Sequence, residues 1–237
     1  SCQRPLCPIR TYAAMKSQSE ENSNTDSQSE LVSELRTLLS EVRTADFDQR
    51  IKDGEPLDDL IDKIRLIRKE LSPYQVKGER MQAGLRPQEH FFRPDTGKDY
   101  DLRGLQPEDF FPYSPIIGPY NPIAPPFRFS MEDGIMHATG NFDSQYCGPP
   151  EGVHGGYVAA LMDELLGVTC VMNGHGGYTG TLTIRYISPT PLDIELTATA
   201  QVKEIKDRKA IIIGELKAGD RLCAEAEGIF IKPNLKN

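Results

Sequence analysis

A chain of 237 residues with a formal net charge of −8 has room for one large domain plus an extension, and its acidity argues against a nucleic-acid-binding surface. No uncharged apolar run approaches the roughly 18–20 residues of a membrane span, so none is expected. Cys2, Cys7, Cys147, Cys170 and Cys223 form an odd, scattered set without a C-x-x-C pair, which argues against a disulfide scaffold and suits a reducing compartment.

Residues 1–19 contain Arg4, Arg10 and Lys16 but no acid, the composition of a mitochondrial transit segment. Arg10-Thr11-Tyr12-Ala13 resembles a matrix-protease cleavage pattern, and the competing reading is upstream sequence before a start at Met15. The expected location is therefore the mitochondrial matrix or the cytoplasm. Residues 17–29 are rich in Ser, Asn, Glu and Gln and complete an expected disordered leader, 1–29.

Segment 30–72 predicts an amphipathic helical hairpin. Leu31, Leu35, Leu38, Leu39 and Val42 recur at helical spacing, as do Leu57, Leu60, Ile61, Ile64 and Ile67, with Asp53-Gly54 between the two runs. Segment 73–126 is punctuated by proline from Pro73 to Pro126, which excludes a regular strand or a continuous helix. Its aromatics, among them Phe91, Phe92, Tyr100, Phe110, Phe111 and Tyr113, argue against a free linker. It reads as an extended arm along the next domain, with 110–126 packed near the site.

From Phe127 to 233 the pattern is that of an α+β domain. Strands are expected over 127–131 and 135–142 around Glu132-Asp133-Gly134, a hairpin turn signal. A Gly/Pro-rich turn then enters an apolar helix that runs to about Met172, where Asn173-Gly174 stops it. Four longer antiparallel strands follow, over 178–187, 192–205, 208–217 and 221–231. In the second of these, Ile194, Leu196, Ala198, Ala200 and Val202 alternate with polar residues. One helix, apolar nearly all round, against one large sheet must be buried along most of its length.

The chemistry concentrates on the turn and helix. Gly155 and Gly156 let the backbone approach a ligand and open a helix whose free N–H groups favour negative charge. Asp163 interrupts the apolar run two turns later. Glu164 points about 100° away around the helix, which predicts that Glu164 is the solvated acid and Asp163 the partly buried one. A donor site and a carboxylate are what hydrolysis of an activated acyl group needs. The nearby Cys147 is the weaker candidate for a nucleophile. No G-x-S-x-G elbow, phosphate-binding loop or strand–G-x-G-x-x-G–helix unit occurs. His90, His137, His154 and His175 lack H-x-x-x-H spacing, so neither a metal site nor a cofactor is expected.

Gly148-Pro-Pro, His154-Gly155-Gly156, an acid nine residues after that His, and the strand 179–186 running into Pro189-Thr190-Pro191-Leu192 resemble the hotdog-fold acyl-CoA thioesterases. The likeness is to the phenylacetate type and the mammalian thioesterase-superfamily-member-4 type. It covers about half the chain and implies an antiparallel sheet wrapped around the central helix, with a homodimer or dimer of dimers acting on acyl-CoA. By position, the resemblance makes Asp163 the base or nucleophile and the Gly156 N–H the donor to the thioester carbonyl. His154 shapes the turn, and Thr179, from the partner subunit, orients the carboxylate or water. It places Gly155, Arg185 and Arg208 on the substrate, the arginines contacting coenzyme A. The alternatives are a non-catalytic acyl-CoA-binding module and an enoyl-CoA hydratase-like hotdog enzyme.

Overall fold

The structure, a computed structural model, describes residues 19–77, 82 and 106–232. The expected transit segment, and Phe91, Phe92 and Tyr100 of the arm, lie outside the described residues. The described helices are α1 (Ser19–Thr44), α2 (Phe47–Lys52), α3 (Asp58–Leu71), α4 (Pro107–Phe110) and α5 (Gly155–Met172). The strands are β1 (Arg128–Glu132), β2 (Ile135–Gly140), β3 (Tyr178–Tyr186), β4 (Leu196–Lys206), β5 (Lys209–Ala218) and β6 (Arg221–Ile231). They form one antiparallel sheet in the order β1-β2-β4-β5-β6-β3.

Local chemistry explains the hairpin and the strand starts. Asp133 and Gly134 take φ values of 48° and 81°, the two left-handed residues of a tight turn whose twist matches its strands. Asp193 also has a positive φ, 56°, which breaks the extended backbone expected from residue 192. Strand β4 therefore begins at Leu196, and Ile194 is exposed rather than on the inner face.

The sheet curls around α5. Leu161, Met162, Leu165 and Leu166 are fully buried, each worth about 1.5–3 kcal/mol of apolar burial. Opposite them Ala198, Ala200, Ala210 and Ala224 are buried small residues that let the helix sit close. A side chain at Gly228 would come within 3.1 Å of Leu166 Cδ1, so that glycine makes the hollow Leu166 fills. By length and composition α5 is apolar enough to cross a membrane, with half of it buried inside the fold. Here the wrapping sheet accounts for its apolar faces.

The N-terminal extension differs from expectation. Residues from Ser19 onward are helical where a disordered leader was expected, because extending an existing helix by one residue costs far less than nucleating one. Helices α1 and α3 do not close into a hairpin. Instead α1 docks through Val32, Arg36 and Ser40: Val32 is buried, Arg36 Nη2 donates to the Asn121 carbonyl (3.3 Å), and the Ser40 and Ser144 hydroxyls bond at 2.9 Å. Of the α1 stripe, Leu31, Leu38, Leu39 and Val42 face elsewhere and stay exposed while Leu35 is half-buried, and α3 buries no residue.

Candidate active site

The turn into α5 is pinned on three sides. Val153 donates its N–H to the Thr190 carbonyl (2.9 Å), His154 to that of Tyr146 (2.8 Å), and Gly148 to that of Gly152 (2.9 Å). A Cβ on Gly148 would lie 2.6 Å from His154 Cα, so only glycine permits this crossing. His154 is the N-cap of α5, and its Nδ1 accepts the Gly156 N–H at 3.0 Å. That imidazole therefore presents an unprotonated Nδ1. The His154 carbonyl takes the N–H groups of Tyr157 and Val158. The Gly155 N–H makes no hydrogen bond among the described residues, while its carbonyl accepts the Tyr186 hydroxyl at 2.8 Å. The free donor at this helix end is thus Gly155, one residue earlier than the expected Gly156.

Asp163 and Thr179 meet within one chain: Thr179 Oγ1 donates to Asp163 Oδ1 at 3.0 Å. The expectation that Thr179 reaches the carboxylate from a partner is corrected by this contact. A bulge makes it. Thr179 pairs with Phe230 and Thr181 with Ile229, so Gly180 is an extra residue in β3. Without it, period-2 alternation would put Thr179 on the opposite face from Leu182 and Ile184. With it, Thr179, Leu182, Ile184 and Tyr186 all face α5, and two of them bond to the helix at Asp163 and at Gly155.

Of the two acids, Asp163 is half-buried as expected, but Glu164 is enclosed rather than solvated. Glu164 Oε1 accepts the hydroxyl of fully buried Ser114 at 2.7 Å, and Ser114 Oγ in turn accepts the N–H groups of Ile116 and Ile117. Burial pushes the Glu164 carboxyl above its ordinary range; the neighbouring Asp163 charge adds to the rise and the Ser114 hydrogen bond opposes it. The arm residue Ser114 closes over the acid, a long-range contact with no signature in the sequence. Asp163 stays half-buried.

The remaining candidates lie apart. Arg185 points to the outer sheet face and pairs with Glu225 at 3.1 Å. It borders an open groove of about 620 Å³ that also exposes Glu215, Glu225 and Glu227, an acidic lining on the side away from Asp163. Arg208 is held at the hairpin end, donating from Nε and Nη2 to the Lys232 carbonyl at 2.8 and 2.6 Å. The Cys147 thiol lies 3.6 Å from the Pro149 carbonyl. Cys170 is buried, bonded to the His175 carbonyl, and burial pushes its thiol up to about 12, which removes it as a nucleophile at neutral pH.

Residues 152–225, which span the turn, α5 and most of the sheet, match the family model described as Thioesterase superfamily. The chain carries a Thioesterase superfamily domain. Its six-stranded sheet around α5 is the hotdog fold, and the crystal structure of a thioesterase superfamily protein superposes with a TM-score of 0.68 at 26% identity, covering 86% of this chain and 94% of that one. Acyl-coenzyme A thioesterase THEM5 of Homo sapiens is 31% identical over 91 residues, 38% of this chain and 37% of the relative. Acyl-coenzyme A thioesterase THEM4 of Xenopus laevis is 33% identical over 87 residues, 36% of this chain and 39% of the relative. The match thus spans less than half the length of these curated relatives.

Proposed function

We propose that this chain hydrolyses acyl-CoA thioesters to the free acid and coenzyme A, with each site assembled from two copies. The observation that carries this reading is the Thr179–Asp163 hydrogen bond on the helix-facing side of β3. The thioesterase names of THEM4 and THEM5 support it.

The helix geometry supports the two-copy site. Gly155 and Asp163 are eight residues apart on one helix, about 12 Å at 1.5 Å per residue. An oxyanion donor must lie about 3 Å from the carbonyl oxygen while the carboxylate reaches the carbonyl carbon or its attacking water. One chain does not bring both to one thioester. A second copy, joined through the β3 edge, supplies the missing half: Asp163 and Thr179 from one chain, the Gly155 N–H from the other. His154 keeps Gly156 occupied and so leaves Gly155 as the donor.

Either of two routes uses this pair. Asp163 attacks the carbonyl carbon and expels CoA thiolate, and water then cleaves the anhydride; or Asp163 takes a proton from water that attacks the same carbon, and the thiolate leaves and is protonated. Both build negative charge on the carbonyl oxygen beside the α5 N-terminus.

Asp163→Asn is isosteric and keeps an acceptor for Thr179. Release of CoA, followed with a thiol reagent over a panel of acyl chains, is expected to fall about 10³-fold, within the range for a lost acid–base group. Folding and association should be unchanged. Near-normal turnover in this variant overturns the proposal.

A further inference from the structure

Two apolar stripes on the N-terminal extension are mostly exposed in a single chain, with Leu35 and Leu60 half-buried. On α1, Leu31, Leu38, Leu39 and Val42 are exposed, because the helix docks by its Val32–Arg36–Ser40 face. On α3, Ile61, Ile64, Ile67 and Leu71 are exposed and no residue is buried. Each stripe repeats at alternating steps of four and three, 31-35-38-42 on α1 and 60-64-67-71 on α3, the spacing of a two-helix seam.

We propose that α3 of one copy seats antiparallel on α1 of a second copy. The registers match along the whole seam: Leu31 falls opposite Leu71, Leu35 opposite Ile67, Leu38 opposite Ile64 and Val42 opposite Leu60, each pair summing to the same total in residue number. In this register the flanking positions bring Leu39 to Ile61 and Glu41 to Lys63. Neither the Glu41 nor the Lys63 side chain forms an ion pair or hydrogen bond among the described residues. One like-charge pair, Glu34 with Glu70, falls on the solvated flank, where its cost is a few tenths of a kcal/mol.

The other self-pairings fit less well. Two copies of α1 set antiparallel bring Glu34 to Glu41 twice. Parallel α3 helices bring Lys63 to Arg68 twice. Antiparallel α3 helices match Lys63 with Glu70, but leave the stripe of α1 uncovered. The exchange between α1 and α3 covers both stripes at once. Helices this short pair stably only when already tethered, which the folded domains provide, and exchanging an element between identical chains is a low-cost route to association. This inference rests on the extension alone and is independent of the thioesterase reading.

Mixing 14N- and 15N-labelled full-length chains and treating them with a carbodiimide tests it. The reagent joins a carboxylate to an amine with loss of water and inserts no spacer. The expected product is a Glu41–Lys63 link between peptides of different isotope label. Leu38→Asp should reduce that product at least tenfold. Glu41→Lys and Lys63→Glu should each abolish it, and the double swap should restore it with the roles reversed. A link found only between peptides of the same label means the hairpin closes within one chain, and overturns the proposal. A Lys63–Glu70 product in its place, or no product at all, overturns it as well.

Discussion

The two edges of the sheet are finished in different ways. At one end, Glu108 of α4 accepts the Phe129 N–H of β1, and Phe110 and Phe111 are buried beside it. At the other end β3 is hydrogen-bonded on one side only, to β6, and its Tyr178 and Tyr186 are each 57% exposed. A sheet edge with unpaired backbone groups is a template for another strand. The closed edge lies far from the carboxylate, whereas the open edge carries Thr179, which holds it. In this chain the open edge and the candidate carboxylate coincide, which is what the proposed site shared between two copies requires.

The strongest way to break that comparison is to charge the open edge. Thr181→Lys with Thr183→Lys sets like charges against each other where two β3 strands would meet about a two-fold axis. Sedimentation should show loss of the dimer formed through β3, and CoA release should fall at least 100-fold, about 2.7 kcal/mol of transition-state stabilisation. The Asp163–Thr179 pair would remain in place, so a monomer that keeps its turnover would show the site complete in one chain.

A smaller effect is expected within the pair itself. Thr179→Val keeps the strand former but removes the hydroxyl, worth about 1.5 kcal/mol at the low end of the range for a hydrogen bond to a charged group. The loss should appear as roughly a tenfold drop in kcat with KM unchanged. An equal loss in both would make Thr179 a substrate-binding residue instead. At the closed edge the sign of the outcome changes: Glu108→Ala should cost about 1 kcal/mol in a denaturant titration and leave kcat alone. An activity loss there would mean the two edges are coupled.

Much of the fold was legible in the residues. Strict alternation and Asp-Gly chemistry located the strands and the tight turn, and the all-round apolar helix required a wrapping sheet. His154 and Asp163 stood out as candidates because a plain core helix gains nothing from a glycine-opened end or from an acid in its apolar run. The donor expected at Gly156 falls at Gly155 because His154 caps its neighbour. Several of the failures depended on a long-range partner. Helical geometry gives the angle between Asp163 and Glu164, but only the return of the arm decides that Ser114 closes over Glu164. Likewise alternation alone sends Thr179 to the wrong face, and the Gly180 bulge corrects it. The α1 stripe showed a face to be covered without showing that Val32, Arg36 and Ser40 would be the face the domain takes.

The enclosure of Glu164 yields the smallest effect, and one with a definite sign. The Glu164 carboxyl is raised above its ordinary value of 4.5, first by burial. Below that range the folded and unfolded chains both carry the proton, and this group adds no pH dependence. As pH rises through it, the unfolded chain releases the proton while the folded one keeps it, so stability falls with rising pH until Glu164 itself ionises. Glu164→Gln keeps an oxygen for the Ser114 hydroxyl and has no proton to lose. Its unfolding free energy, measured by urea titration from pH 4 to 8, should decline less steeply than that of the unmodified chain, and at pH 8 it should be at least as stable. A steeper decline in the variant would mean that the Ser114 bond and the turn amides behind it favour the charged carboxylate by more than burial disfavours it. Ser114 would then be acting as an anion clamp on Glu164, and the arm would be held to α5 by charge.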